Sequence, residues 1–384
     1  MKPHKTVDEQ LNILKSRNVY IPRKSFARRI LTYENYYYVI NGYKTPFIAS
    51  TQPDDTYKPG TSFNEIFALY SFDRRLREIL FPELLRIEHS VKSIIIDVFS
   101  KHHGHDHTSY LRPNSFNITP FDNFKRTNAL IFDLLKLIDK QRSRHGAITH
   151  YMDKYQFVPI WVLSKVMTFG KINSFYGCML LNDKIEVATA FNLQPSQFKS
   201  LVDFITIFRN KCAHGERVYC HLKDQKKPSP IPELPLHDKL NIPHNMKGYK
   251  HGTQDILALL IAMKYFLQPD RYANLIRRID YALNIKFARR LHSIPCSDIQ
   301  EVMGLLDKYD WMNILKKPYN KKPPGTANTE RQVYCFRESY PNSFEFYHDS
   351  PPISRRFYLC PRSESESTKR CTRTASIRPK VHAV

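Results

Sequence analysis

The stretch Leu69-Tyr70-Ser71-Phe72-Asp73-Arg74-Arg75-Leu76-Arg77-Glu78-Ile79-Leu80, resumed after Pro82 by Leu84, Ile87, Val91, Ile94 and Val98, decides the fold class. Its apolar residues recur every three or four positions, the repeat of a helix that buries one stripe. Pro82 has no amide donor and its ring crowds the preceding turn, so it is expected to kink this helix or split it in two. The polar side carries Asp73, Arg74, Arg75, Arg77 and Glu78. Asp73 and Arg77 are spaced for an i,i+4 pair, and a solvated face is the plain reading of the cluster.

Working outward, Thr6 with Glu9 forms a capping-box signature ahead of Leu11, Leu14 and Val19. A second short helix follows Pro22, and the aromatic run 33–43 reads as a third, core-packing element. Residues 49–62 read as a loop. Helices are expected at about 121–144, 158–168, 170–181, 183–191 and 195–214, and again at 256–267, 272–283 and 299–306. No strand alternation persists, so the class is all-α. The chain divides into an N-terminal helical region (1–60), a helical core (61–222), a linker or long loop (223–252), a C-terminal helical region (253–317) and a basic tail (318–384). The tail is rich in Pro, Ser, Glu and Arg and is expected to be largely disordered.

Charge points to a polyanionic partner. The 384 residues hold 59 Lys+Arg against 36 Asp+Glu, a net +23. The tail contributes 12 Lys+Arg and 6 Asp+Glu, or +6, leaving +17 to the body, so the tail is not the source of the basic balance. Such an excess attracts nucleic acid over long range. A solubilising surface is the alternative. A membrane is disfavoured because no apolar run approaches about 20 residues and no signal-peptide core follows Met1. A cytoplasmic protein is expected, and seven cysteines without a C-x-x-C pair suit reduced thiols.

Phosphate-loop, dinucleotide, nucleophile-elbow and zinc-protease signatures are all missing from the sequence. What remains is R-x-x-x-x-H in Phe208-Arg209-Asn210-Lys211-Cys212-Ala213-His214. In this composition that spacing is expected about once by chance, so its context must carry it. Phe198, Leu201, Val202, Ile205, Phe208 and Cys212 form one buried stripe, and at 100° per residue Asn210 and His214 fall together on nearly the opposite side. Arg209 borders the buried face. Arg217 joins the exposed stripe if the helix survives Gly215.

These residue types suit RNA. An imidazole titrating near neutral pH can take the proton from a ribose 2′-hydroxyl or give one to the leaving 5′-oxygen, while a guanidinium holds the phosphate between those events. Asn210 can orient the imidazole or the phosphate. The scheme needs no metal or cofactor. One histidine does not easily serve as acid and base in one turnover, so a composite site in a homodimer is expected. The competing reading is a helix end where His214 complements the dipole, Gly215 stops the helix, and Arg209 and Arg217 make surface ion pairs.

Arg-Asn-x-Cys-Ala-His-x-x-Arg at 209–217 resembles the signature of abortive-infection proteins of the AbiD/AbiF type, a branch of the HEPN ribonuclease superfamily. Further blocks agree in order: Glu9-Gln10-Leu11 with Leu14-Lys15-Ser16-Arg17, Asn35-Tyr36-Tyr37 with Gly42-Tyr43, and Pro59-Gly60-Thr61 leading to Phe63. Residues 69–77 with Ile87-Glu88 come next, then Pro159-Ile160-Trp161 with Thr168-Phe169-Gly170, and Met303-Gly304 with Trp311. The resemblance spans roughly residues 7–315. It implies a HEPN-type helical bundle with N- and C-terminal helical additions. It also implies metal-independent endoribonuclease activity leaving a 2′,3′-cyclic phosphate, a homodimeric active site and a role in anti-phage defence. By position, Arg209 and His214 match the catalytic pair and Asn210 the polar residue beside it. Arg217, Arg74, Arg75 and Arg77 become candidates for RNA binding or support, and Asp73 and Glu88 for structural roles. A toxin must be restrained, which makes an antitoxin RNA a further expected partner. The alternative is a non-catalytic RNA-binding or scaffold protein on the same fold.

Two other clusters carry metal-ligating or R-to-H patterns. Lys101-His-His-Gly-His-Asp-His107 has the donor types zinc accepts, but clustered histidines in a flexible loop seldom converge tetrahedrally, and no metal site is expected. Arg144 with His150 reads as a loop after a helix.

Overall fold

The computed structural model describes residues 3–220, 229–246 and 248–316. The chain opens with α1 (Val7–Ser16) and α2 (Lys24–Glu34), passes a short hairpin of β1 (Ile48–Ser50) and β2 (Thr56–Tyr57), and enters α3 (Phe63–His103). Next come α4 (His107–Tyr110), α5 (Phe121–Arg142), α6 (Gly146–Tyr155), α7 (Ile160–Leu163), α8 (Phe169–Cys178), α9 (Leu181–Thr189) and α10 (Pro195–Ala213). Beyond them lie α11 (Pro235–Lys239), a minimal hairpin of β3 (His244–Asn245) and β4 (Gly248–Tyr249), then α12 (Ile256–Lys264), α13 (Pro269–Asp280), α14 (Cys296–Met303) and α15 (Trp311–Lys316). The fold is helical, as the periodicity predicts.

Its spine is α3, whose 41 residues span about 60 Å at 1.5 Å per residue. The Thr6 and Ser62 capping boxes start α1 and α3, each closed by a glutamate three residues on. Contrary to expectation, α3 is continuous through Pro82. Pro82 lies on the exposed side, while Ile79, Leu80, Leu84 and Ile87 around it are fully or nearly fully buried. Burying four such side chains outweighs the ~3 kcal/mol that an interior proline costs a helix. Against α3 pack α7, α8, α9, α10 and α13, and α10 is itself covered by α8, α9 and α12.

Most helices match their expected ranges; four segments depart. The expected helix at 158–168 is only Ile160–Leu163, followed by turns, and α6 forms at Gly146–Tyr155 where a loop around His150 was expected. The run 33–43 is divided between core and surface: Val39, Ile40 and Tyr43 are buried, while Tyr33, Tyr37 and Tyr38 project outward. The described part of the supposed linker is core-packed, with Ile231, Leu234, Leu236, Leu240 and Ile242 buried. Prolines at 230, 232, 235 and 243 hide this by breaking any helical period. Residues 223–228 of that segment, and the expected tail 318–384, lie outside the described residues. No helix among the described residues is long and apolar enough to cross a membrane.

Candidate functional site

The block 209–217 closes α10. Phe198, Leu201, Val202, Phe204, Ile205, Phe208 and Cys212 bury one side of that helix. Asn210 and His214 are both exposed, as their angular spacing requires. His214 caps the helix, and Gly215 follows at φ +70°. The Glu216 amide bonds the Lys211 carbonyl at 2.9 Å and the Gly215 amide reaches the Cys212 carbonyl at 3.4 Å, a Schellman closure that favours glycine at the left-handed position.

Arg209 is aligned by a neighbour 121 residues earlier. Its Nε donates to Glu88 Oε2 at 2.7 Å, and Nη1 reaches Asn210 Oδ1 at 3.3 Å. Glu88 is nearly buried, and its other oxygen takes Lys92 Nζ at 2.9 Å. Lys92 also donates to the Met167 carbonyl at 2.6 Å, joining α3 to the turn before α8. The Arg209 side chain retains 26% exposure. His214 makes no side-chain hydrogen bond among the described residues, so an aligned guanidinium and an open imidazole sit on one helix end.

Beyond Gly215 the chain turns inward. Arg217 is buried and does not join the exposed stripe, because the Schellman turn ends the helix before it. It donates to the Gly42 carbonyl and lies 5.6 Å and 6.0 Å from the Tyr43 and Tyr219 ring centroids. Those two rings stack on each other at 5.9 Å. Asp73, read from sequence as part of a solvated face, is completely buried. Its Oδ1 accepts the amides of Val218 (3.1 Å) and Tyr219 (2.7 Å). Oδ2 accepts the Tyr43 hydroxyl at 2.7 Å and the Arg77 guanidinium. Arg77 further donates to the Glu216 carbonyl at 3.2 Å. The i,i+4 pair therefore forms, but inside.

Of the arginine cluster, only Arg74 and Arg75 face solvent, each with 57% of its side chain exposed and each paired with Glu78, Arg74 also with Glu34. Arg77 is turned inward by Asp73. Burial pushes the Asp73 carboxyl up against the pull of Arg77, Tyr43 and the two amides. Burial also pushes the Cys212 thiol to about 12 and lowers the Lys211 ammonium. Blocks 42–43, 73–77 and 216–219 thus meet in one buried clasp directly behind the exposed residues. Sequence distance hid that convergence.

The histidine-rich segment is absorbed by structure. His102 Nδ1 and His103 Nε2 lie 2.6 Å and 2.7 Å from the two oxygens of the buried Asp183, and the Val158 amide donates to His107 Nε2 at 3.0 Å. Among the described residues no cluster of three or more His, Cys, Asp or Glu is arranged to hold a metal ion. Arg144 and His150 line a shallow surface pocket beside α6.

A family model described as Abi-like protein matches residues 29–220. The chain belongs to this family. The match covers α3, all of α10 and the whole 209–217 block, together with the Gly42 and Tyr43 ends of the clasp. It supports an abortive-infection family for the chain. No curated protein and no solved structure matches it.

Proposed function

We propose that this Abi-like protein is a metal-independent endoribonuclease of the AbiD/AbiF type within the HEPN superfamily, acting in abortive infection. Two copies of the chain bring Arg209, Asn210 and His214 to one composite site. The observation that carries the reading is the contrast between Arg209, aligned by Glu88, and His214, left open on the same helix end. The 2′-hydroxyl oxygen attacks phosphorus as one His214 takes its proton. The bond from phosphorus to the 5′-oxygen breaks as the partner copy's imidazole returns a proton, leaving a 2′,3′-cyclic phosphate and a 5′-hydroxyl. Arg209 holds the non-bridging oxygens, whose charge grows in the transition state. Asn210, bonded to Arg209, positions it.

Wild-type protein is expected to be toxic on expression and to cut RNA in excess chelator. His214→Ala is expected to do neither while still dimerising and binding RNA. Equal cleavage by the two proteins would refute the proposal. The ion pair that Arg209 already makes with Glu88 favours a second reading, an RNA-binding or scaffold protein without catalysis. Under that reading His214→Ala changes nothing, and Arg209→Ala only loosens the helix end. An antitoxin RNA recognised by the basic surface would bind with an affinity that falls steeply as salt rises, and salt-insensitive binding would argue against it.

A further inference from the structure

Outside the 209–217 block the molecule has one basic, aromatic cleft of about 600 Å3 among its described cavities. Its walls are α3 and the segment running from α13 through a π-helix at Tyr281–Phe287. Residues 271–290 hold six Lys or Arg and a single acid, Asp280. Arg277, Arg278, Lys286 and Arg290 line the cleft, joined from α3 by Arg75. No carboxylate of the described residues lies within ion-pair distance of those four; Arg75 alone is paired, with Glu78 at 3.1 Å. Four unneutralised cations converging on one concavity repel each other, an arrangement that an anionic ligand relieves.

The remaining lining adds a second kind of recognition. The floor is apolar, with Phe72 and Phe287 stacked at 4.7 Å. Tyr281 stands half-exposed at the rim, and the Lys286 ammonium lies 5.6 Å from its ring centroid. The π-helix makes this possible, because its wider turn brings residues five apart over one another. Asn274 adds an amide, able both to donate and to accept.

We propose that this cleft binds a nucleoside polyphosphate. The phosphates would sit among Arg277, Arg278, Lys286 and Arg290, and the base on Tyr281. The volume lies within the range of about 300 to 1,000 Å3 that holds small ligands whole. A chain of phosphates concentrates three to four charges where these cations converge, whereas a nucleic-acid strand brings one per nucleotide. The assignment is independent of RNA cleavage, since no lining residue belongs to the 209–217 block.

Titration calorimetry on the full chain tests it with four probes: ATP, adenosine, inorganic tripolyphosphate and a 2′-O-methyl hexauridylate, which lacks the hydroxyl needed for cleavage. ATP is expected to bind with Kd below about 100 μM and adenosine to bind at least about tenfold more weakly. Arg278→Glu with Arg290→Glu should raise the ATP Kd at least about tenfold. Arg289→Glu removes the same kind of charge from a neighbour outside the lining, and should change the Kd less than about twofold. Tyr281→Ala should weaken ATP about fivefold while leaving tripolyphosphate unchanged. Arg277→Gln, a milder change at an exposed position, repeats the test should the double variant fail to fold. The proposal is overturned if ATP fails to saturate the protein by about 1 mM, or if the lining and Arg289 variants behave alike. Tighter binding of the hexauridylate than of ATP at the same residues would overturn it too, assigning the cleft to an RNA strand.

Discussion

Two regions that meet at the end of α10 behave in opposite ways. On one side of Gly215, Asn210 and His214 stand in solvent with Arg209 at their border. On the other, Arg217, Val218 and Tyr219 are sealed into the clasp around Asp73. The same kinds of residue occur in both: an arginine held by an acid of α3 appears in each, Arg209 by Glu88 and Arg77 by Asp73. What differs is whether the chain's reversal at Gly215 turns the surroundings toward water or toward the core. A guanidinium that keeps part of its surface can still meet a phosphate; one enclosed by two rings and a carbonyl, as Arg217 is, is closed off from solvent. The buried half supports the exposed half.

Asp73→Ala is the most disruptive way to break that contrast. It strands the Arg77 guanidinium and leaves the Val218 and Tyr219 amides without their acceptor. A loss of about 3–5 kcal/mol in urea denaturation is expected, and a loss below 1 kcal/mol would mean that the clasp holds nothing. His214→Ala should do the reverse. RNA cleavage is expected to fall at least about a hundredfold, with stability changed by no more than about 0.5 kcal/mol.

Glu88→Gln keeps the shape of the side chain but removes the charge shared by Arg209 and Lys92. Because Arg209 is part-exposed, the stability cost should be about 1–2 kcal/mol, and cleavage should drop further than stability alone explains. Gly215→Ala meets no atom within 4 Å, so only the strain of the positive φ opposes it. A loss of about 1 kcal/mol is expected, read by thermal melting. The smallest effect is chemical. With its thiol pushed by burial to about 12, Cys212 stays protonated at pH 8, and peptide mapping after iodoacetamide treatment should find it unmodified in native protein. The Asp73→Ala protein should label faster at the same residue, provided the clasp is what seals it.

Three features of the site could be read along the chain. The stripe from Phe198 to Cys212 is a local period, and the exposure of Asn210 and His214 follows from it. The end of α10 at Gly215 is equally local, since few residues other than glycine accept that backbone. The i,i+4 relation of Asp73 and Arg77 is a matter of spacing alone. The side on which that pair sits is not local. Asp73 looks solvated because acids and arginines ordinarily are, and its burial depends on amides 145 and 146 residues away. The Glu88 partner of Arg209 stayed hidden for the same reason, as did the ring pair holding Arg217. The cleft at α13 left a compositional trace, six cations in twenty residues, but its concavity needs α3 as the opposite wall.

Local rules therefore decided much here: helices wherever apolar residues recur at three and four, a stop at Gly215, and an open face for Asn210 and His214. They failed at Pro82, where packing on both sides carried the helix across a missing hydrogen bond, and at 231–242, where prolines disguised a core-packed segment. Direction inward or outward for Arg77, Arg217 and Asp73 was settled only by the folded chain. A buried charge must find its partners wherever the backbone brings them, and for these three residues the partners come from blocks up to 175 positions apart.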